Sequence, residues 1–148
     1  MRLILYSISF FALLLSACNN GPQPITYSQD ACDFCRMTIV DKQHAAQIVT
    51  VKGRNYKYDA IECMVNDLKE WDRPEADLIL VADYTNPGEL IEAENANYLI
   101  SNEIPSPMGA FLSAFSDNNE LVLTQEGSGG DTFNWQELKQ KFSQQHRH

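Results

Sequence analysis

Positive charge is scarce in this 148-residue chain: 11 Lys and Arg stand against 20 Asp and Glu, for a formal charge of −9. A nucleic-acid groove or a polybasic membrane patch needs clustered cations to meet phosphate, so neither fits. Catalytic motifs are missing too. There is no Gly-x-Ser-x-Gly elbow, no His-Glu-x-x-His helix, no phosphate-binding Gly-rich loop and no convergent pair of carboxylates, and the expectation is that the chain is not an enzyme. A charged fraction of 21% with 10% aromatics also lacks the bias of a disordered chain. What remains is one modest globular unit, or two small halves sharing a core. Only four Cys, four Met and three His are available for metal or thiol chemistry.

The longest apolar run, residues 3–15, follows the single cation Arg2. It is too short to span a bilayer comfortably and reads as a secretory signal. It ends at Leu15-Ser16-Ala17-Cys18, which resembles a bacterial lipobox. That resemblance implies lipid attachment to Cys18 and cleavage before it, so that the anchor is acyl chain rather than helix. Asn19 is not the Asp associated with inner-membrane retention in enterobacteria, which favours the outer membrane over the inner. Residues 1–17 are thus expected to be signal peptide and residues 18–29, with two prolines and a glycine, a tether.

Residues 30–142 are expected to form the folded part, with halves at about 30–84 and 88–125, a C-terminal helix and a polar tail at 143–148. Strands are predicted at 37–40, 45–51, 56–58 and 77–82 from β-branched or unbroken apolar runs. Between the last two, Asp59 is read as the N-cap of a helix reaching about Trp71, with Ala60, Ile61, Met64, Leu68 and Trp71 on one face. The second half predicts strands at 89–93 and 97–101, a proline-opened helix at 107–115, a strand at 120–124 and a helix at 133–142. The fold class is α+β: two strand-strand-helix-strand units packed as one pseudo-repeat, plus a C-terminal helix.

Chemistry concentrates in Cys32-Asp-Phe-Cys35-Arg-Met37. Three readings compete. A thioredoxin-like dithiol would open a helix, whereas a strand signal follows here. Structural zinc wants four ligands, and beyond Cys32 and Cys35 only Cys63, His44 and the tail histidines His146 and His148 are on offer. A soft Cu(I) site needs only two or three thiolate or thioether ligands, which Met37 and Met108 extend. Cys63 lies about 100° from Met64 on the helical wheel, at the flank of the apolar face, and reads as a third thiol or, in preference, a small buried residue. Met64 reads as core, and His44 as a solvated loop residue rather than a ligand.

Together, the lipobox, Cys32-x-x-Cys35-x-Met37, the segment Tyr58-Asp-Ala-Ile-Glu-Cys-Met64, Asn97-Tyr-Leu-Ile100 and Pro107-Met-Gly-Ala-Phe-Leu-Ser-Ala-Phe115 resemble the NosL-type lipoproteins, accessory to nitrous oxide reductase. The resemblance implies a membrane-tethered, periplasm-facing Cu(I) chaperone with a paired strand-strand-helix-strand fold, also seen in an organomercurial lyase. It puts the metal motif on Cys32, Cys35 and Met37, with Cys35 the firmer thiol, and a second methionine segment on Met108. It also implies a partner, a copper-accepting enzyme or its assembly apparatus, besides the bilayer reached through Cys18. Arg36 stands where the family often has glycine. A thiol-disulfide or structural-zinc lipoprotein, or a copper buffer for another client, are the alternatives.

Overall fold

The computed structural model describes residues 21–144; the expected signal peptide, Cys18 and the tail histidines lie outside them. Ala46–Thr50 (β1) reads AQIVT and is buried throughout, as a strand covered on both faces must be. It forms the interior of an antiparallel sheet ordered β2-β1-β3-β4, with β2 at Asn55–Tyr58, β3 at Ala76–Ala82 and β4 at Leu90–Glu92. Gln47, a polar member of β1, is satisfied on its amide nitrogen by the Gln23 carbonyl (2.8 Å) and Asn55 Oδ1 (2.6 Å).

The first of those bonds bears on the expected tether. Over residues 21–29 the chain lies against the sheet: Gln23 N–H donates to Asn55 Oδ1, Lys57 Nζ donates to the Pro24 carbonyl, and Ile25 and Tyr27 pack against the core. Two prolines lack N–H donors, but the Pro24 carbonyl and the apolar residues after it still find partners.

Helix α1 spans Ile61–Lys69, ending two residues short of Trp71. Its N-cap is Ala60, without a side-chain bond, and not Asp59. The Asp59 carboxylate instead accepts from Val40 N–H at 3.3 Å. Five successive residues, Ile61 to Val65, are buried because the first turn is wedged among β1, β2 and the second sheet.

That second sheet is ordered β6-β5-β7, with β5 at Asn97–Ile100, β6 at Leu112–Phe115 and β7 at Asp131–Phe133. Here three expectations fail. Residues 107–115 are not a helix but a turn running into β6, whose four residues are all buried. The apolar spacing of that run suits either period, and Gly109 and Phe111, at φ +75° and +58°, break a helix before it starts. Residues 120–124 belong to helix α2, Asn118–Ser128, in which Leu121 is the buried residue while Val122 and Leu123 face solvent. Asp117 Oδ1 caps it by accepting from Asn119 N–H at 2.8 Å, and that cap outweighs the strand propensity of Val122 and Thr124. Residues 37–40 form no strand; an isolated bridge pairs Thr38 with Ala31.

The paired architecture holds with its second unit shifted: the strand expected to open that unit, Leu90–Glu92, pairs with β3 in the first sheet instead. β1-β2-α1-β3 and β5-β6-α2-β7 are two strand-strand-helix-strand units, each with its first strand in the middle of three, so the fold class is α+β as expected. Helix α3, Trp135–Gln144, follows β7 and buries Trp135, Leu138 and Phe142. The units join where Asp83 bridges Ala114 and where α1 packs on β6. No helix among the described residues is long and apolar enough to cross a membrane.

Candidate metal centre

A tight hairpin delivers two of the thiols. Ser28 N–H donates to the Ile39 carbonyl and Ile39 N–H to that of Asp30; nearer the tip, Cys32 N–H donates to the Met37 carbonyl at 2.8 Å. Arg36 closes the turn at φ +67°, the left-handed conformation that glycine adopts most readily. The turn expected from a glycine is therefore made by Arg36 itself. Asp33 fastens the tip to β2: its N–H donates to the Lys57 carbonyl and its carboxylate accepts from Lys57 N–H, both at 2.8 Å.

The first turn of α1 delivers the third. Sγ of Cys32, Cys35 and Cys63 all lie within 4.8 Å of one another, and all three cysteines are free thiols. Cys32 and Cys63 are buried and Cys35 is half-buried, so the cluster has one accessible corner. Cys63 is buried in the core, in line with the preferred reading of the sequence, and its thiol also joins the pair. Its place at the opening of a helix behind Tyr58-Asp59 was the available signal.

Their protonation is unequal. Cys32 is pushed down to about 5, foremost because the Cys63 thiol donates to its sulfur. Burial opposes this, while the N–H groups of Asp59, Cys35 and Phe34 support it. The Cys35 N–H to Cys32 Sγ distance is 3.5 Å. Cys63 is raised far above the usual thiol range because its proton is held by Cys32 and because it is buried. Cys35 is raised as well, chiefly by burial, against a bond from Met37 N–H. Asp59, beside the cluster, is raised by burial, with Cys32, Asp41 and Glu62 adding repulsion.

The methionines differ from this group in exposure. Met37 follows the hairpin turn and is 54% exposed; Met108 is 44% exposed, on the turn where Gly109 N–H donates to the Ser106 carbonyl. Met64 is core, as expected. His44 is not solvated. It is buried, with Nδ1 at 2.9 Å from Asp41 Oδ2 and Nε2 at 3.2 Å from Ser113 Oγ, so both nitrogens are engaged away from the thiols.

The NosL family model matches residues 23–143. The chain belongs to the NosL family. Its fold is similar to the crystal structure of the copper chaperone NosL from Shewanella denitrificans, with a TM-score of 0.69 at 19% sequence identity, covering 80% of this chain and 95% of that one. No curated protein matches the chain. The NosL resemblance is thereby confirmed over residues 23–143, and with it the α+β fold.

Proposed function

We propose that this NosL-family chain carries Cu(I) and passes it to a copper-accepting protein, without catalysing a reaction of its own. One observation carries the reading: three thiols converge on a point that one side of the protein leaves open. Thiolate donors select a soft monovalent ion, and three are enough for it. Metal–sulfur bonds of about 2.3 Å, the zinc–thiolate value, would space three sulfurs by roughly 4 Å, close to what the cluster already offers.

The rival readings fit the geometry less well. The group of His, Cys, Asp and Glu donors found among the described residues contains three ligands, whereas a closed structural zinc site takes four. A dithiol oxidoreductase needs its low-pKa thiol at the surface. Here the depressed thiol, Cys32, is buried, and the accessible one, Cys35, is raised.

On this reading Cys35 receives the ion at the open corner, Cys32 offers a ready thiolate, and Cys63 completes the set on losing its proton. Met37 and Met108, exposed thioethers on the hairpin and on the second half's turn, supply soft ligands for capture and hand-off. Titration of the reduced protein against a competing Cu(I) chelator, with Zn(II) in parallel, tests the proposal: one Cu(I) held far more tightly than zinc supports it, and equal or tighter zinc binding overturns it.

The remaining assignments rest on the sequence. Leu15-Ser-Ala-Cys18 supports a lipid anchor at Cys18 and residence at the periplasmic face of a membrane, the outer one in preference. Acyl chains on Cys18 in the mass spectrum of membrane-extracted protein would bear this out; a free Cys18 would refute it. The family resemblance supports the assembly apparatus of nitrous oxide reductase as recipient. Gene deletion should leave that reductase copper-deficient under limiting copper, and a host lacking the reductase would redirect the reading to another client or to buffering.

A further inference from the structure

Glu62, the residue before Cys63 in the first turn of α1, is 3% exposed, and its buried Oε2 has no hydrogen-bond partner among the described residues. An orphaned buried carboxyl oxygen is costly, so stability alone does not account for the residue. Its other oxygen reaches across to the second half. Oε1 accepts from Ser106 Oγ at 2.5 Å and from Ala110 N–H at 3.4 Å, while Ser106 Oγ accepts from Phe111 N–H at 2.8 Å. These bonds bracket Met108. The turn they enclose also holds Phe111 in the left-handed region at φ +58°, a conformation costly for a bulky residue and kept only with support.

We propose that Glu62 is a positioning residue for the metal site: it clamps the Ser106–Phe111 turn so that the Met108 thioether is presented beside the thiols of α1 and the hairpin. The proposal rests on Met108 serving as a ligand, as set out above. One carboxyl then registers the two halves against each other at the site, because the residue it precedes supplies a thiol and the turn it grips supplies the thioether. Ordinary packing would be met as well by an apolar residue, whereas the clamp requires an acceptor at Oε1.

The test compares Cu(I) affinities by chelator competition, and sulfur coordination of the copper-loaded proteins by X-ray absorption, for wild type, Glu62→Ala, Glu62→Gln, Ser106→Ala, Met108→Leu and the Glu62→Ala/Met108→Leu double variant. Loss of a residue that orients a ligand typically weakens metal binding about 10–100-fold. Glu62→Ala and Ser106→Ala should fall in that range and lose one sulfur from the copper shell, as Met108→Leu does. Glu62→Gln, which keeps the accepting oxygen, should retain both, and the double variant should be no weaker than Met108→Leu. If Met108→Leu weakens binding while Glu62→Ala keeps every sulfur or adds its loss independently, the clamp is refuted and Met108 stands as a ligand. If Met108→Leu binds copper as wild type does, the ligand reading of Met108 falls and the clamp with it. Should Glu62→Ala fail to fold, Ser106→Ala breaks the same link from the other side and decides.

Discussion

The unequal protonation of the three thiols predicts how copper capture depends on pH. A metal ligand must be deprotonated, so binding releases whatever protons its ligands still hold. Cys32, lowered to about 5, has none to give at neutral pH. Cys35 and Cys63, both raised, each hold one. Capture by all three sulfurs therefore releases two protons, and the apparent Cu(I) affinity should rise about 100-fold per pH unit between roughly pH 6 and 8. Below about pH 5 Cys32 is protonated in the free protein, and the slope should steepen toward three. Competition against a chelator of known proton affinity across this range measures it, and thiolate ultraviolet absorbance of the apo-protein should show one group titrating near 5 that Cys32→Ser removes. A slope of three at neutrality would mean that Cys32 is an ordinary thiol; a slope of one would mean that the buried Cys63 keeps its proton and does not bind.

Three further outcomes probe the scaffold. A Cβ on Gly130, at φ +106°, would stand 2.3 Å from the Ile100 carbonyl oxygen, so Gly130→Ala should cost at least about 2 kcal/mol in chemical denaturation, and an unchanged midpoint would contradict the close approach of β7 to β5. Arg36→Gly should leave Cu(I) affinity unchanged, while Arg36→Val, β-branched in the left-handed region, should cost about 1–2 kcal/mol and weaken binding; the reverse order would show that the Arg36 side chain matters more than its backbone. His44→Ala should destabilise by about 1–3 kcal/mol, since it strips a buried partner from Ser113, and should leave Cu(I) affinity intact; lost affinity would make His44 part of the site.

The first unit was legible because its signals agree: the β-branched run of β1, the apolar run of β3 and the one-sided apolar face of α1 each fit a single period. In the second unit they conflict. Pro107 and the apolar spacing up to Phe115 imitate a helix that Gly109 and Phe111 prevent, and Leu121-Val-Leu-Thr124 imitates a strand that the Asp117 cap turns into helix. At the site, Cys32 and Cys35 announce themselves by local spacing. The convergence of Cys63 does not, because it arises only when the first turn of α1 packs under the hairpin. Asp59 shows the same limit: it looks like a helix cap, yet its carboxylate holds Val40 and its N–H faces the Cys32 sulfur. His44 differs from its solvated sequence reading for a similar reason, its ring being met by Ser113 of the other half.

The central claim is that Cys63, though part of the core, is also a working thiol of a three-sulfur copper site. It is tested most directly by the Cu(I) affinity of Cys63→Ser, measured by chelator competition on protein whose thermal unfolding matches wild type. The account predicts a loss of at least about tenfold, the lower end of what disturbing a metal site costs, and a pH slope reduced from two protons to one. Wild-type affinity with an unchanged slope would contradict it, and would return the site to the Cys32–Cys35 pair alone.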